Sequence, residues 1–208
     1  MSNLNHGLGG RLPLLEPGKL QAKRRELYDK IIASVVPWAD VAGFKSKDEQ
    51  EHLIGPFNAT LYSPEMGGSF LALQTMEEEH TSLSKRTRQV VILTVGSVWK
   101  APYEIYAHSA AAAKVGLSVA HIEALAAGHT ADGMTEEELV AQRFTCQLIS
   151  EHIVDDDTYA EAREAFGDRG LVEMLTLIGC YLSVCALLNA FAVPVPDARQ
   201  TKHKEYAR

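Results

Sequence analysis

Residues Arg86–Leu117, RTRQVVILTVGSVWKAPYEIYAHSAAAAKVGL, decide how the rest of the chain is read. Val90, Val91, Ile92, Leu93, Val95, Val98 and Trp99 leave the first half almost without a polar face, the pattern of a helix covered on all sides. Glu104 and His108 follow directly, four residues apart, a spacing that stacks a carboxylate and an imidazole one turn apart on one helical face. Around them Ala107, Ala110, Ala111, Ala112 and Ala113 are small enough to let another backbone or a ligand approach. A carboxylate beside a histidine can fix its tautomer and raise its basicity, as general acid–base chemistry near neutral pH requires.

Working outward, the neighbouring segments also read as helices. Lys19 to Val35 is amphipathic and is expected to stop at Pro37. A loop with a short helix over Asp48 to Leu53 leads to Ser63-Pro64-Glu65, where a serine cap and a preset proline open a helix to about Glu79. Ser84 caps the helix of the central stretch, which runs to Lys100, and Pro102 opens the one bearing Glu104 and His108, ended at Gly116. Ser118 to Ala127 is a short helix closed by Gly128. Capping boxes at Thr135 and Thr158 predict helices over Glu136 to His152 and Tyr159 to Phe166. Leu171 to Phe191, apolar nearly all round, is expected to be a second central helix. With no alternating strand and no hairpin signal, the fold class is all-α: a helical bundle with an extra N-terminal helix.

The domain plan is a flexible leader over residues 1–17, one all-α domain over 18–196 and a polar tail over 197–208. A net charge of -7 argues against nucleic acid or an anionic membrane as the main partner. No apolar run is expected to reach the ~20 residues of a membrane span, and the N-terminus lacks the form of a secretory signal. Three cysteines, Cys146, Cys180 and Cys185, have neither CxxC spacing nor an even count, so all three are read as buried and reduced in a cytoplasmic protein. Glu104 and His108 alone cannot supply a metal site, and none is expected.

Several landmarks together resemble the carboxymuconolactone decarboxylase family within the alkylhydroperoxidase D-like superfamily. They are GPFNATLYSPEM (Gly55–Met66), RTRQVVILTV, APYEIYAH, KVGLS with the helix after it, and LLNAFAVPVP, in that order over Gly55 to Pro196. The resemblance implies an alkylhydroperoxidase D-like bundle that forms homo-oligomers, trimers or hexamers. The peroxidase branch of the superfamily uses a glutamate, a Cys-x-x-Cys pair and a histidine. With His108 as that histidine, the cysteine positions carry Ala101 and Glu104, and the glutamate position carries Gln89. Thiol peroxidase chemistry needs a thiolate nucleophile and a resolving partner, and the motif holds neither.

The decarboxylase branch implies a cofactor-independent lyase or isomerase acting on a small carboxylated lactone or cyclic acid. In this reading His108 handles the proton and Glu104 orients it, while Gln89, which can hydrogen-bond but not titrate, lines the pocket with Ala101, Tyr103, Phe57 and Asn58. Tyr103 and Tyr106 supply either a phenol or packing. Arg86 and Arg88 either attract an acidic substrate or form ion pairs. Two rivals stand beside this expectation. One is a non-catalytic, small-molecule-binding or structural member, which a dry, closed Glu104–His108 face would favour. The other is a residual hydroperoxidase using Cys146 or Cys180, which needs a thiol within reach of His108.

Overall fold

In a computed structural model describing residues 7–196, eight α-helices follow two short 3-10 turns, with no strand among the described residues beyond one isolated bridge. The helices are α1 (Ala22–Ala42), α2 (Pro56–Thr60), α3 (Pro64–His80), α4 (Lys85–Val98), α5 (Pro102–Lys114), α6 (Val119–Ala126), α7 (Glu136–Glu151) and α8 (Asp156–Ala190). Among the described residues the chain divides into two compact units, 70–186 and 7–69 with 187–196.

In the 70–186 unit, α4 is the hub. Every residue from Thr87 to Gly96 is buried, as the unbroken apolar pattern predicts. One side of α4 (Val91, Ile92, Val95) packs with Val140, Ala141 and Phe144 of α7 and with Met174, Leu177 and Ile178 of α8. The opposite side (Val90, Leu93) packs with Ala112, Leu117, Ile122 and Leu125 around α5 and α6. Each such aliphatic side chain contributes about 1.5–3 kcal/mol when fully covered, so a helix buried on both sides anchors this unit. The caps fall where the sequence puts them: Ser84 accepts from the Thr87 N–H, Ser118 from the His121 N–H, and Thr135 with Glu138 forms a complete capping box.

Four local expectations are corrected. Pro37 does not end α1, which runs on to Ala42 and closes at left-handed Gly43 (φ 96°). The turn beyond the proline buries Ala39, Ala42 and Phe44, and Trp38 meets Phe44 edge-on at 5.2 Å, which offsets a proline cost of about 3 kcal/mol. Residues 48–53 form no helix. The Asp48 carboxylate accepts from the Gln50 and His52 N–H groups and ties down a turn closed by the Lys47–Leu53 bridge. Thr158 is not a cap, because Asp155 accepts from its N–H at 2.7 Å and starts α8 three residues earlier.

Gly167 at φ 65°, ψ 175° separates a limb of α8 over 156–166 from one over 168–190, as the two expected helices require, and the fourth correction concerns how the second limb is covered. The second limb is covered on one side only: Leu171, Met174, Leu177 and Ile178 are buried, while Val172 and Leu175 are 64% and 45% exposed. Its best 18-residue window has a mean hydropathy of 2.1, enough by length and composition to cross a membrane, although this helix forms part of the α4 core.

In the other unit, Asn58 ties down part of the segment read as a leader. Its side chain accepts from the Leu15 N–H at 3.0 Å and donates to the Pro13 carbonyl at 3.1 Å, and Arg11 N–H donates to the Phe191 carbonyl at 2.7 Å. The polar tail over 197–208 lies outside the described residues.

Candidate functional site

The site is built where α4 and α5 lie closest. Gly96 makes the approach possible: a Cβ there would sit 3.0 Å from Ile105 Cδ1 and 3.3 Å from Glu104 Cγ. The two helices run in opposite directions along this contact, so Gln89, two turns before Gly96, meets His108, one turn after Glu104. His108 Nδ1 lies 2.9 Å from Gln89 Oε1, and Nε2 lies 3.2 Å from Glu104 Oε1. Glu104 and His108 are 3% and 5% exposed. The Glu104–His108 distance is within hydrogen-bond range but the alignment is not, and among the described residues the buried Glu104 Oε1 has no hydrogen-bond partner.

Burial fixes the protonation. With no cation against it, the Glu104 carboxyl is pushed up to about 8, while burial and then the charge of Arg88 push His108 down to about 3. At neutral pH the proton therefore sits on Glu104 and the imidazole is neutral. The contacts assign its tautomer: Nδ1–H donates to Gln89 Oε1, which leaves Nε2, 3.2 Å from Glu104 Oε1, as the bare nitrogen. Glu104 carries the proton, and His108, anchored by Gln89, is the neutral acceptor beside it.

Tyr181 and Glu77, which sequence reasoning missed, complete the surroundings together with Arg88. Tyr181 of α8 packs its half-buried ring edge-on against His108, with centroids 4.9 Å apart and planes at 87°. Arg88 and Glu77 form a buried two-pronged ion pair, with Nε donating to Oε1 at 3.2 Å and Nη2 to Oε2. Neither was visible locally, since each partner comes from another helix. Both arginines left open by the sequence are in ion pairs, Arg88 with Glu77 and Arg86 with Glu138.

Of the remaining sequence candidates, Ala101 is the buried N-cap of α5. Tyr103 is buried edge-on to Tyr106 at 5.8 Å, and burial raises its phenol well above the ordinary value. Phe57 and Asn58 belong to the other compact unit, where Asn58 spends its amide on the N-terminal segment. Cys146 is exposed, contrary to expectation, whereas Cys180 and Cys185 are buried. Burial raises both buried thiols, Cys185 the further, which is the opposite of a reactive thiolate site. Among the described residues no three His, Cys, Asp or Glu side chains converge as metal ligands. An open groove of about 680 Å³ lies in the other unit, lined by Leu14, Leu20 and the ion-paired Lys19 and Lys23, and holds none of the candidate catalytic groups.

No protein-family model matches the chain, and no curated protein matches it by sequence. Solved structures do match. An alkylhydroperoxidase AhpD core, an uncharacterized peroxidase-related protein from Ralstonia eutropha, aligns with a TM-score of 0.72 at 15% identity, covering 92% of this chain and 94% of that one. A peroxidase-related protein from Silicibacter sp. aligns at 0.69 and 15% identity over 91% and 93%. The debrominase Bmp8, in complex with 2,3,4-tribromopyrrole, aligns at 0.70 and 16% identity over 94% and 98%. The chain thus has the alkylhydroperoxidase D-like fold.

Proposed function

We propose that the chain is a cofactor-independent lyase or isomerase of a small cyclic acid or lactone, run by proton transfer at Glu104 and His108. The observation that carries this reading is a neutral carboxylic acid held nine-tenths buried, 3.2 Å from the bare nitrogen of an imidazole and without a hydrogen-bond partner among the described residues. Such a group is costly to maintain and is suited to giving up a proton. In the decarboxylation of a carboxylated lactone, the C–CO2 bond breaks and its electron pair enters the conjugated dienolate. Glu104 then donates its proton to carbon and is reprotonated from solvent. His108 holds the acid in register, and Gln89 holds His108. The debrominase among the structural neighbours lends support, since its ligand is also a small ring.

The test is carbon dioxide release, or ultraviolet loss, with 4-carboxymuconolactone. Activity should fall by about two to four orders of magnitude in Glu104→Gln and His108→Ala. Unchanged turnover in either variant removes that residue from the mechanism.

A second reading is favoured by the closed face around the pair, both members of which are 5% exposed or less. In it the same buried network is structural and the chain binds or assembles without chemistry. A wild-type protein inactive on a panel of small lactones and cyclic acids would favour it. We further propose a homo-oligomer, supported by the exposed apolar side chains of Leu73 and Met76 on α3 and Val172 and Leu175 on α8. A monomer by light scattering at micromolar concentration would contradict this.

A further inference from the structure

We propose that Tyr181 is the substrate-contacting door of the Glu104–His108 site, its ring giving way to a planar ring of similar size that docks against His108. The inference rests on the acid–base reading and names the ligand class that reading left open. On α8 the neighbours of Tyr181 one turn to either side, Ile178 and Cys185, are 2% and 0% exposed, so this buried face is otherwise sealed. Tyr181 alone in this row is half-buried, and its ring lies against an imidazole that is almost wholly covered. Solvent and His108 are therefore on two sides of one phenol ring.

Among the described residues no hydrogen bond fastens that ring. It packs edge-on against His108 and against the edge of the apolar cluster shared by α4, α7 and α8, near the charges of Glu104, Arg88, Glu78 and Glu77. A side-chain rotation, with no change of backbone, would vacate a slot of phenol size beside His108 and the unpartnered oxygen of Glu104. The slot also sets the chemistry of its occupant. Edge-on packing against an imidazole suits a flat conjugated ring. The nearest cation, Arg88, is already held by Glu77, so the ring edge entering the site is uncharged. It presents an acceptor, such as a lactone or ring carbonyl, to the acid proton of Glu104.

The experiment needs no turnover. Deuterium exchange at C2 of the His108 imidazole is measured by peptide mass spectrometry in the full chain, with His121 as internal reference. In Tyr181→Ala, exchange at His108 should rise about tenfold or more, as expected when a covering group is removed, and millimolar phenol should slow it again. Tyr181→Phe keeps the ring and should exchange like the wild type. The proposal is overturned if Tyr181→Ala exchanges at the wild-type rate, if phenol fails to reverse the rise, or if Tyr181→Phe is accelerated equally. A wild-type protein that turns over no lactone, with these exchange results intact, would sink the acid–base reading and leave the door standing.

Discussion

The Nδ1 of His108 is bonded at 2.9 Å to Oε1 of Gln89, an amide that can accept a proton's hydrogen bond but never take the proton. That contact fixes which imidazole nitrogen is bare, and so which nitrogen faces Glu104. Replacing the amide by an isosteric carboxylate tests it. In Gln89→Glu, a buried anion against Nδ1 stabilises the imidazolium and raises the pKa of His108 from its depressed value. Nitrogen-resolved NMR of the histidine side chains at pH 7 should show a neutral His108 protonated at Nδ1 in the wild type. In the variant it should show a doubly protonated one. A neutral ring in both proteins would refute the assigned network.

Burial of the pair also shapes stability against pH, with opposite signs. Glu104, raised from 4.5 to about 8, binds a proton in the folded state that the unfolded chain has lost, so its contribution is full below 4.5 and is lost as pH rises through 8. His108, lowered from 6.5 to about 3, contributes stability present above 6.5 and lost as pH falls through 3. Between 4.5 and 6.5 the two slopes cancel. The expected result is a plateau there, with this pair's contribution declining on both sides by up to about 1.4 kcal/mol per pH unit. Urea denaturation from pH 4 to 9 checks it. Glu104→Gln should lose the alkaline decline between 6.5 and 8 and keep the acid one.

Much of this was legible in the sequence because it is local. Ser84, Ser118 and the Thr135–Glu138 box mark helix starts through contacts three residues long, and the unbroken apolar run of α4 marks its burial. The Glu104–His108 pair is legible for the same reason. What failed was decided by competition or by distance. Pro37 is outweighed by the packing beyond it, and Asp155 outcompetes Thr158 as a cap. The use of Arg88 depends on Glu77 from α3, and the cover on His108 comes from α8. The position of the proton depends on how deeply Glu104 is buried, which no local spacing encodes.

The Arg88–Glu77 pair should be strongly asymmetric to mutation. Removing one partner strands a buried charge, so Glu77→Gln should cost about 3–5 kcal/mol, with Glu78 at 3.9 Å offering partial relief. Replacing both with apolar residues of similar length, Arg88→Met with Glu77→Leu, should cost far less. Chemical denaturation of the two single variants and the double one decides. Additive losses would mean that the pair is not energetically coupled.

Two glycines inside helices should respond to alanine with opposite signs, because only one of them holds helices together. Alanine gains about 1 kcal/mol of helix propensity over glycine at either place. At Gly179 a Cβ meets nothing within 4 Å, so Gly179→Ala should stabilise by a few tenths to about 1 kcal/mol. At Gly96 the new methyl presses on Ile105 Cδ1 and Glu104 Cγ, and overpacking of this kind costs about 1–3 kcal/mol. Gly96→Ala should therefore lower the melting temperature. By pushing Glu104 away from α4, it should also weaken the His108–Gln89 contact and speed imidazole exchange at His108. Thermal melts of both variants, with exchange at His108 as the second readout, provide the check. Equal shifts of the same sign would show that α5 does not depend on the missing side chain at position 96.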